Sequence, residues 1–216
     1  MTDESTSIAR RVRDYLEGHP ALADALRLGI ANNSAVARKV REDLGIRKTD
    51  AVVAACRRFP RGRGEAARYA GVRRVLRKSR IETRTKVAAI TVALGTDILQ
   101  RLGDVVEELL DENSLCRLIQ VSRGTVVIVD GDAAARVTRA LREEQVLRVR
   151  KNLVEVAVTS PESIEETPGL LHQLTGILAA QGVNILEALS CYTDTIFLLR
   201  EDDLQPALRV LAPALV

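Results

Sequence analysis

The sequence has little of what catalytic and metal sites are usually built from. Its only histidines, His19 and His172, stand far apart, and neither has a companion at the i, i+4 spacing of a metalloenzyme helix. A Ser/His/Asp arrangement therefore finds no local support. The cysteines, Cys56, Cys116 and Cys191, are odd in number, widely spaced and set in apolar surroundings. They argue against a disulfide framework or a zinc knuckle and predict buried core thiols. A phosphate-cradling glycine loop is missing too. No apolar run approaches the length of a membrane span, and the N-terminal MTDESTSIARR offers acidic and polar residues where a secretion signal needs an apolar stretch. These absences lead us to expect a cytoplasmic protein that is no enzyme, holds no metal or cofactor and spans no membrane.

What is present is charge, unevenly placed. The 216 residues are 46% hydrophobic and 28% charged, which suits a globular chain with roughly one to three small cores. Residues 1–86 carry 21 Lys or Arg against 10 Asp or Glu, a net of +11. Residues 87–216 carry 11 against 19, a net of −8. The basic charge is densest over 47–86, with 14 basic and 3 acidic residues. Such clustering is the footprint of contact with a polyanion, DNA or RNA, and equally of a solvated helical linker.

The basic half reads as helices. Ile8, Val12, Tyr15 and Leu16 recur at helical spacing, and Pro20 opens a segment with Leu22, Ala25 and Leu26 that Gly29 closes in a left-handed cap. Ser34 is the expected N-cap of a helix bearing Val36, Ala37, Val40 and Leu44, and Gly45 is its end. After a tight turn, Thr49 is expected to cap a helix whose Val52, Val53, Cys56 and Phe59 face inward. Helix, Gly-containing turn and helix make the layout of a helix-turn-helix, and a small partner-docking bundle shows the same periodicity. On the DNA reading, Arg57 and Arg58 reach base edges or phosphates while Lys48 and Arg61 grip the backbone. Pro60, Gly62 and Gly64 mark a break, and residues 65–79 regain helical character as a connecting helix.

From Val87 the pattern turns to β and repeats. Residues 87–94 read as a buried strand, Thr96 or Asp97 caps a helix to Leu110, and residues 115–121 and 125–129 form a strand pair. Asp132 caps a helix to Leu141 and residues 146–149 return to strand, giving the order βαββαβ. A second run follows: the strand Leu153, Val154, Val156 and Val158, the segment TPGLLHQLTGILAAQGVNILE over 167–187, two short strands to Leu199 and a helix after Asp202. Pro168 suits the first helical turn, and Gly169 lets a chain or ligand approach the backbone. The open helix N-terminus favours an anionic group such as a carboxylate.

This Pro-Gly-opened helix followed by Gly-Val-Asn-Ile, bracketed by strands, resembles an ACT domain, the small amino-acid-sensing module of aspartokinases and related regulators. The helical region LGIANNSAVARKVREDLG ahead of such modules is similar to that of archaeal predicted regulators of amino acid metabolism, over nearly the whole chain. The resemblance implies an α+β fold: a helix-turn-helix-like domain over 1–64, the connecting helix 65–79, a first ferredoxin-like ACT unit over 80–149 and a second over 150–216. The first unit lacks the Pro-Gly at Gly95-Thr96-Asp97, and 111–114 replace Gly-Val-Asn-Ile, so it is expected to be degenerate. The second unit lacks a last strand. By likeness to aspartokinase tandems that strand is supplied by 80–83, ahead of a turn at 84–86, which interleaves the units.

The resemblance further implies an amino-acid effector held by Thr167, Pro168, Gly169 and Leu170, facing Asn184 and Ile185 of a partner unit, and a homodimer joined through the ACT units. His172 is expected to be exposed or at an interface. No kinase domain is expected ahead of the aspartokinase-like region. The function implied is an amino-acid-responsive regulator of amino acid metabolism: a DNA-binding transcriptional regulator or, alternatively, a regulatory subunit that binds no DNA and docks on a biosynthetic enzyme.

Overall fold

The computed structural model describes residues 7–60 and 63–216, with the side chains of 63–68 left aside. The chain divides into two compact units, Met1–Ala70 and Gly71–Val216. Arg61, one of the expected phosphate contacts, lies outside the described residues.

In the first unit the helices are α1 (Ile8–Glu17), α2 (Pro20–Arg27), α3 (Asn33–Leu44), α4 (Thr49–Arg58) and the start of α5 (Arg63–Leu76). The apolar stripes of α1 to α4 meet in one core, in which Val12, Leu16, Ala37, Val40 and Val52 are almost fully buried. The turns follow the glycines: Gly29 and Gly45 adopt φ of 71° and 63°, a region in which a side chain costs energy. Two caps differ from expectation. Asn32, not Ser34, caps α3, because its side-chain oxygen accepts from the amides of Ser34 and Ala35 at 2.9 and 3.2 Å. Thr49 is already helical, and its hydroxyl accepts from Arg41 instead of capping α4. Tyr69 on α5 donates to Asp24 of α2 at 2.8 Å.

The second unit is built on one antiparallel sheet in the order β2-β3-β1-β4-β6-β5. The strands are β1 (Arg80–Val92), β2 (Cys116–Val121), β3 (Gly124–Asp130), β4 (Val146–Thr159), β5 (Glu187–Cys191) and β6 (Asp194–Arg200). Helices α6 (Thr96–Asp111), α7 (Ala134–Arg139), α8 (Leu170–Ala180) and α9 (Leu204–Ala214) join them. The central strands are longer than the pattern suggested. Residues 84–86 form no turn: β1 runs through them with a register shift, Lys86 taking φ 56°. Asn152 does the same in β4. A single residue in the left-handed region absorbs the extra length as a bulge, so a strand bends without ending.

The pairing divides each long strand. Residues 87–92 of β1 pair with β3 and with the first part of β4, while 80–84 pair with 155–159, which in turn lie beside β6. Alternation then assigns the faces. Ala88, Ile90 and Val92 pack with Ile98, Leu102 and Leu109 of α6 and Val137 of α7. Val154, Val156 and Val158 pack with Leu170, Leu174 and Leu178 of α8, Leu211 of α9 and the last turns of α5. The intervening residues Val87, Ala89, Ile128, Leu153 and Leu198 form a separate cluster on the second face.

The cysteines are not uniformly buried. Cys56 is buried and Cys116 half-buried, their thiols pushed up by burial, whereas Cys191 is exposed at the end of edge strand β5. Among the described residues no helix is long and apolar enough to cross a membrane.

Candidate functional site

The segment that joins β4 to α8 gathers the first group of expected effector residues. Beyond Thr159 the chain makes a short 3-10 turn at Glu162–Ile164, with Ile164 buried in the α8 core. Thr167 is tied back to it: its amide donates to the Ile164 carbonyl at 3.1 Å and its hydroxyl to the Ser163 carbonyl at 2.6 Å. Pro168 is exposed and stands just ahead of the cap, not inside the first helical turn as expected. Gly169 is the N-cap, with φ 94° and ψ 0°, and its carbonyl receives the Gln173 amide at 3.0 Å. No side chain caps α8, so its first amides are left for solvent or an anion. Leu170 points the other way, 3% exposed in the core.

The far end of α8 holds the second group. Gly182 adopts φ 72° and the Val183 amide returns to the Leu178 carbonyl at 3.1 Å, an αL helix ending. Asn184 is exposed and Ile185 half-buried. Eleven residues at 1.5 Å each separate the two groups by roughly 16 Å, so one chain does not bring Thr167–Leu170 and Asn184–Ile185 together. His172, one turn into α8, is exposed.

The turn between β5 and β6 braces this segment, a role that its sequence did not announce. Ser160 donates its amide to the Thr193 carbonyl at 2.8 Å, and the Tyr192 hydroxyl donates to Glu162 at 2.6 Å. Tyr192 itself sits at φ 53°, and the hydrogen bond to Glu162 raises its hydroxyl above the ordinary tyrosine range. Next in the chain, Asp194 Oδ1 and Thr195 Oγ1 are buried without a hydrogen-bond partner. Sequence could flag Tyr192 only as part of a turn, since its partner is 30 residues away.

The internal likeness of the two halves of the sheet can be followed residue by residue. In the first half Asn113 takes the place of Gly182, with φ 53°, and the Ser114 amide returns to the Leu109 carbonyl as Val183 does to Leu178. Residues 113–116 thus occupy the Gly-Val-Asn-Ile position, two residues later than expected. The loop after β1 is shorter than its counterpart, with Gly95 as N-cap in extended conformation and Asp97 accepting from Gln145 at 2.9 Å.

The cations expected to meet a polyanion occupy opposite ends of α4. Lys48 is the N-cap, while Arg57 and Arg58 are exposed in the last turn, where they favour the negative end of the helix. Asp50 holds the first turn. Arg58 also lines a small depression of about 50 Å³ with Ala9, Arg13, Ala55 and Phe59. Among the described residues no three His, Cys, Asp or Glu side chains converge as a metal site would require.

The ACT domain family model matches residues 148–213, from near the start of β4 into α9. No curated protein matches the sequence. Among solved structures, the regulatory subunit of aspartate kinase from Thermus flavus is similar over 63% of this chain and 97% of its own, at 16% identity and a TM-score of 0.51. The aspartate kinase of Clostridium acetobutylicum is similar over 63% of this chain and 34% of its own, at 10% identity and a TM-score of 0.52. These likenesses concern the fold: residues 148–213 match the ACT domain, and the second unit has the architecture of aspartokinase regulatory regions.

Proposed function

We propose that the protein is an amino-acid-responsive regulator of amino acid metabolism. The observation that carries this reading is the coincidence of the ACT match over 148–213 with an uncapped helix N-terminus at Pro168 and Gly169. A free amino acid presents a carboxylate, and open amides at the positive end of a helix dipole are suited to receive it. On this reading Thr167, Pro168, Gly169 and Leu170 hold the effector together with Asn184 and Ile185 of a second copy. The roughly 16 Å between the groups in one chain is the reason for a homodimer. The strand pairings support two ACT units, 80–149 and 150–216, interleaved through 80–84, with the first degenerate.

The N-terminal region then carries the output. As a helix-turn-helix it would set α4 on DNA through Lys48, Arg57, Arg58 and Arg61, with effector binding coupled to it only if the ligand prefers one arrangement of the dimer. One observation favours the alternative, a regulatory subunit that docks on a biosynthetic enzyme. Recognition helices read bases with their N-terminal residues, yet here that end bears Asp50 and the arginines lie at the other.

A thermal-shift screen against the proteinogenic amino acids tests the sensing claim, since stabilisation follows ligand concentration over dissociation constant. Selection from random-sequence DNA, with and without the hit, separates the outputs. An enriched motif supports the DNA-binding regulator. No motif together with a co-purifying biosynthetic enzyme supports the docking subunit.

A further inference from the structure

The two bulges of the sheet are related positions with opposite electrostatics. Arg84 and Arg150 each stand two residues before a bulge residue, Lys86 and Asn152, and the residues that follow, Val87 and Leu153, pair with each other. Opposite Val87 lies Asp130, and opposite Leu153 lies Arg200. In the first half the site closes on itself. Arg84 contacts both oxygens of Asp130 at 3.1 and 3.2 Å, the Leu115 amide donates to the same carboxylate at 2.8 Å, and the Gly131 amide donates to the Lys86 carbonyl at 2.7 Å.

In the second half the acid is replaced by a cation, and the site stays open. An exposed depression of about 450 Å³ is bounded by Arg148, Arg150, Lys151 and Arg200, with Leu153 and Leu186 in its floor. Arg150 turns to Glu187 at 3.3 Å. Arg148, Lys151 and Arg200 have no ion pair among the described residues. Glu201 and Asp202, both exposed, line it too. Like charges gathered in a concave site repel one another and focus a positive field, which a bound anion relieves. Arginine forks match phosphate and carboxylate oxygens in pairs.

We propose that this depression binds a compact, multiply charged anion, a phosphate- or polycarboxylate-bearing metabolite, with Arg148, Arg150, Lys151 and Arg200 on its oxygens and Glu201 and Asp202 accepting from hydroxyl or amino groups on its body. The site lies at the bulge of β4, away from the Pro168–Gly169 helix start, and stands independently of the amino-acid reading. It is a second input to the same sheet.

Calorimetric titration of the full chain with pyrophosphate, and separately with citrate, tests it. The expected result is saturable binding of at least one of them that falls as salt is added. Arg200→Asp restores the acid found in the first half and lets Arg150 close the site, so it should weaken binding at least tenfold, whereas Arg101→Asp on α6 should leave it unchanged. Arg200→Gln serves the same comparison if Arg200→Asp fails to fold. Pyrophosphate binding identifies the phosphorylated class and citrate binding the polycarboxylate class. No saturable binding of either anion, or binding that survives loss of Arg200, overturns the proposal.

Discussion

Arg117 on β2 and Glu155 on β4 form a two-pronged ion pair across the second face of the sheet, both contacts at 2.9 Å, although β3 and β1 lie between their strands. Such a reach requires the sheet to curl until its outer and central strands face each other. Glu155 is 5% exposed, so its charge depends on Arg117 for compensation. The pair links the two halves of the sheet: Glu155 belongs to the part of β4 beside β6, and Arg117 to the far edge.

Breaking this pair from one side is therefore expected to be costly. Arg117→Ala should destabilise the second unit by about 2 to 3 kcal/mol, below the loss for a wholly buried pair because the guanidinium keeps partial solvent contact. Replacing both residues, as Arg117→Met with Glu155→Leu, should cost less than Arg117→Ala alone. Denaturant unfolding of the three variants decides it. Equal stability of Arg117→Ala and the parent protein would show that the pair is incidental.

Gly169 offers a backbone test. At φ 94° a side chain is strained, so Gly169→Ala should lower stability by about 1 to 2 kcal/mol even without ligand, while Gly176→Ala, in the middle of α8 with open space around its added methyl group, should be neutral or stabilising. Thermal melts of the two variants make the comparison. Equal shifts of the same sign would remove Gly169 from its special conformation.

The role of 80–84 can be isolated by truncation. A chain beginning at Gly71 should fold, since Gly71–Val216 is a compact unit with its own cores. A chain beginning at Lys86 should be unstable or associate, because residues 155–159 lose the strand beside them and expose an edge. Circular dichroism and sedimentation distinguish the two. A stable monomer beginning at Lys86 would mean that 80–84 are dispensable.

The tyrosines set a pH window. The hydrogen bond to Asp43 raises the Tyr15 hydroxyl above its ordinary 10.0, and Glu162 does the same for Tyr192. A folded value above the unfolded one means that the contribution is full below pH 10.0 and is lost as pH rises through the raised value. At the acid end, Lys39 first and Tyr15 next hold Asp43 below its ordinary 3.8, so its contribution is full above that value and lost as pH falls through the lowered one. The sequence has no tryptophan to obscure tyrosinate absorbance. An alkaline titration should show late-ionising tyrosines, one lost in Tyr15→Phe and one in Tyr192→Phe; ordinary ionisation in the parent protein would contradict both hydrogen bonds.

Glycine and periodicity made much of this architecture legible. Gly29, Gly45, Gly169 and Gly182 all sit where the chain needs positive φ, and the apolar positions of α6 and α8 read directly as buried faces. The bulges were not legible, because lysine at 86 announces no left-handed residue, asparagine at 152 tolerates that conformation without requiring it, and each long strand read as two pieces. Asn32 and Ser34 are both good caps, and only the start of α3 decides between them. The second-face ion pair escaped for another reason. Arg117 and Glu155 are 38 residues apart, and their contact depends on the curl of the sheet. The site residues 167–170 and 184–185 were read from the Pro-Gly and Gly-Val-Asn-Ile segments, but periodicity alone did not reveal that α8 holds the groups apart.

The central claim is that an amino acid binds at the start of α8. Calorimetric titration of the full chain with each proteinogenic amino acid, repeated on Gly169→Asp, tests it most directly. The account predicts saturable binding of at least one amino acid, and a loss in Gly169→Asp because the new carboxylate meets the ligand's own. Absence of binding by every amino acid, or undiminished affinity in a folded Gly169→Asp variant, would contradict it.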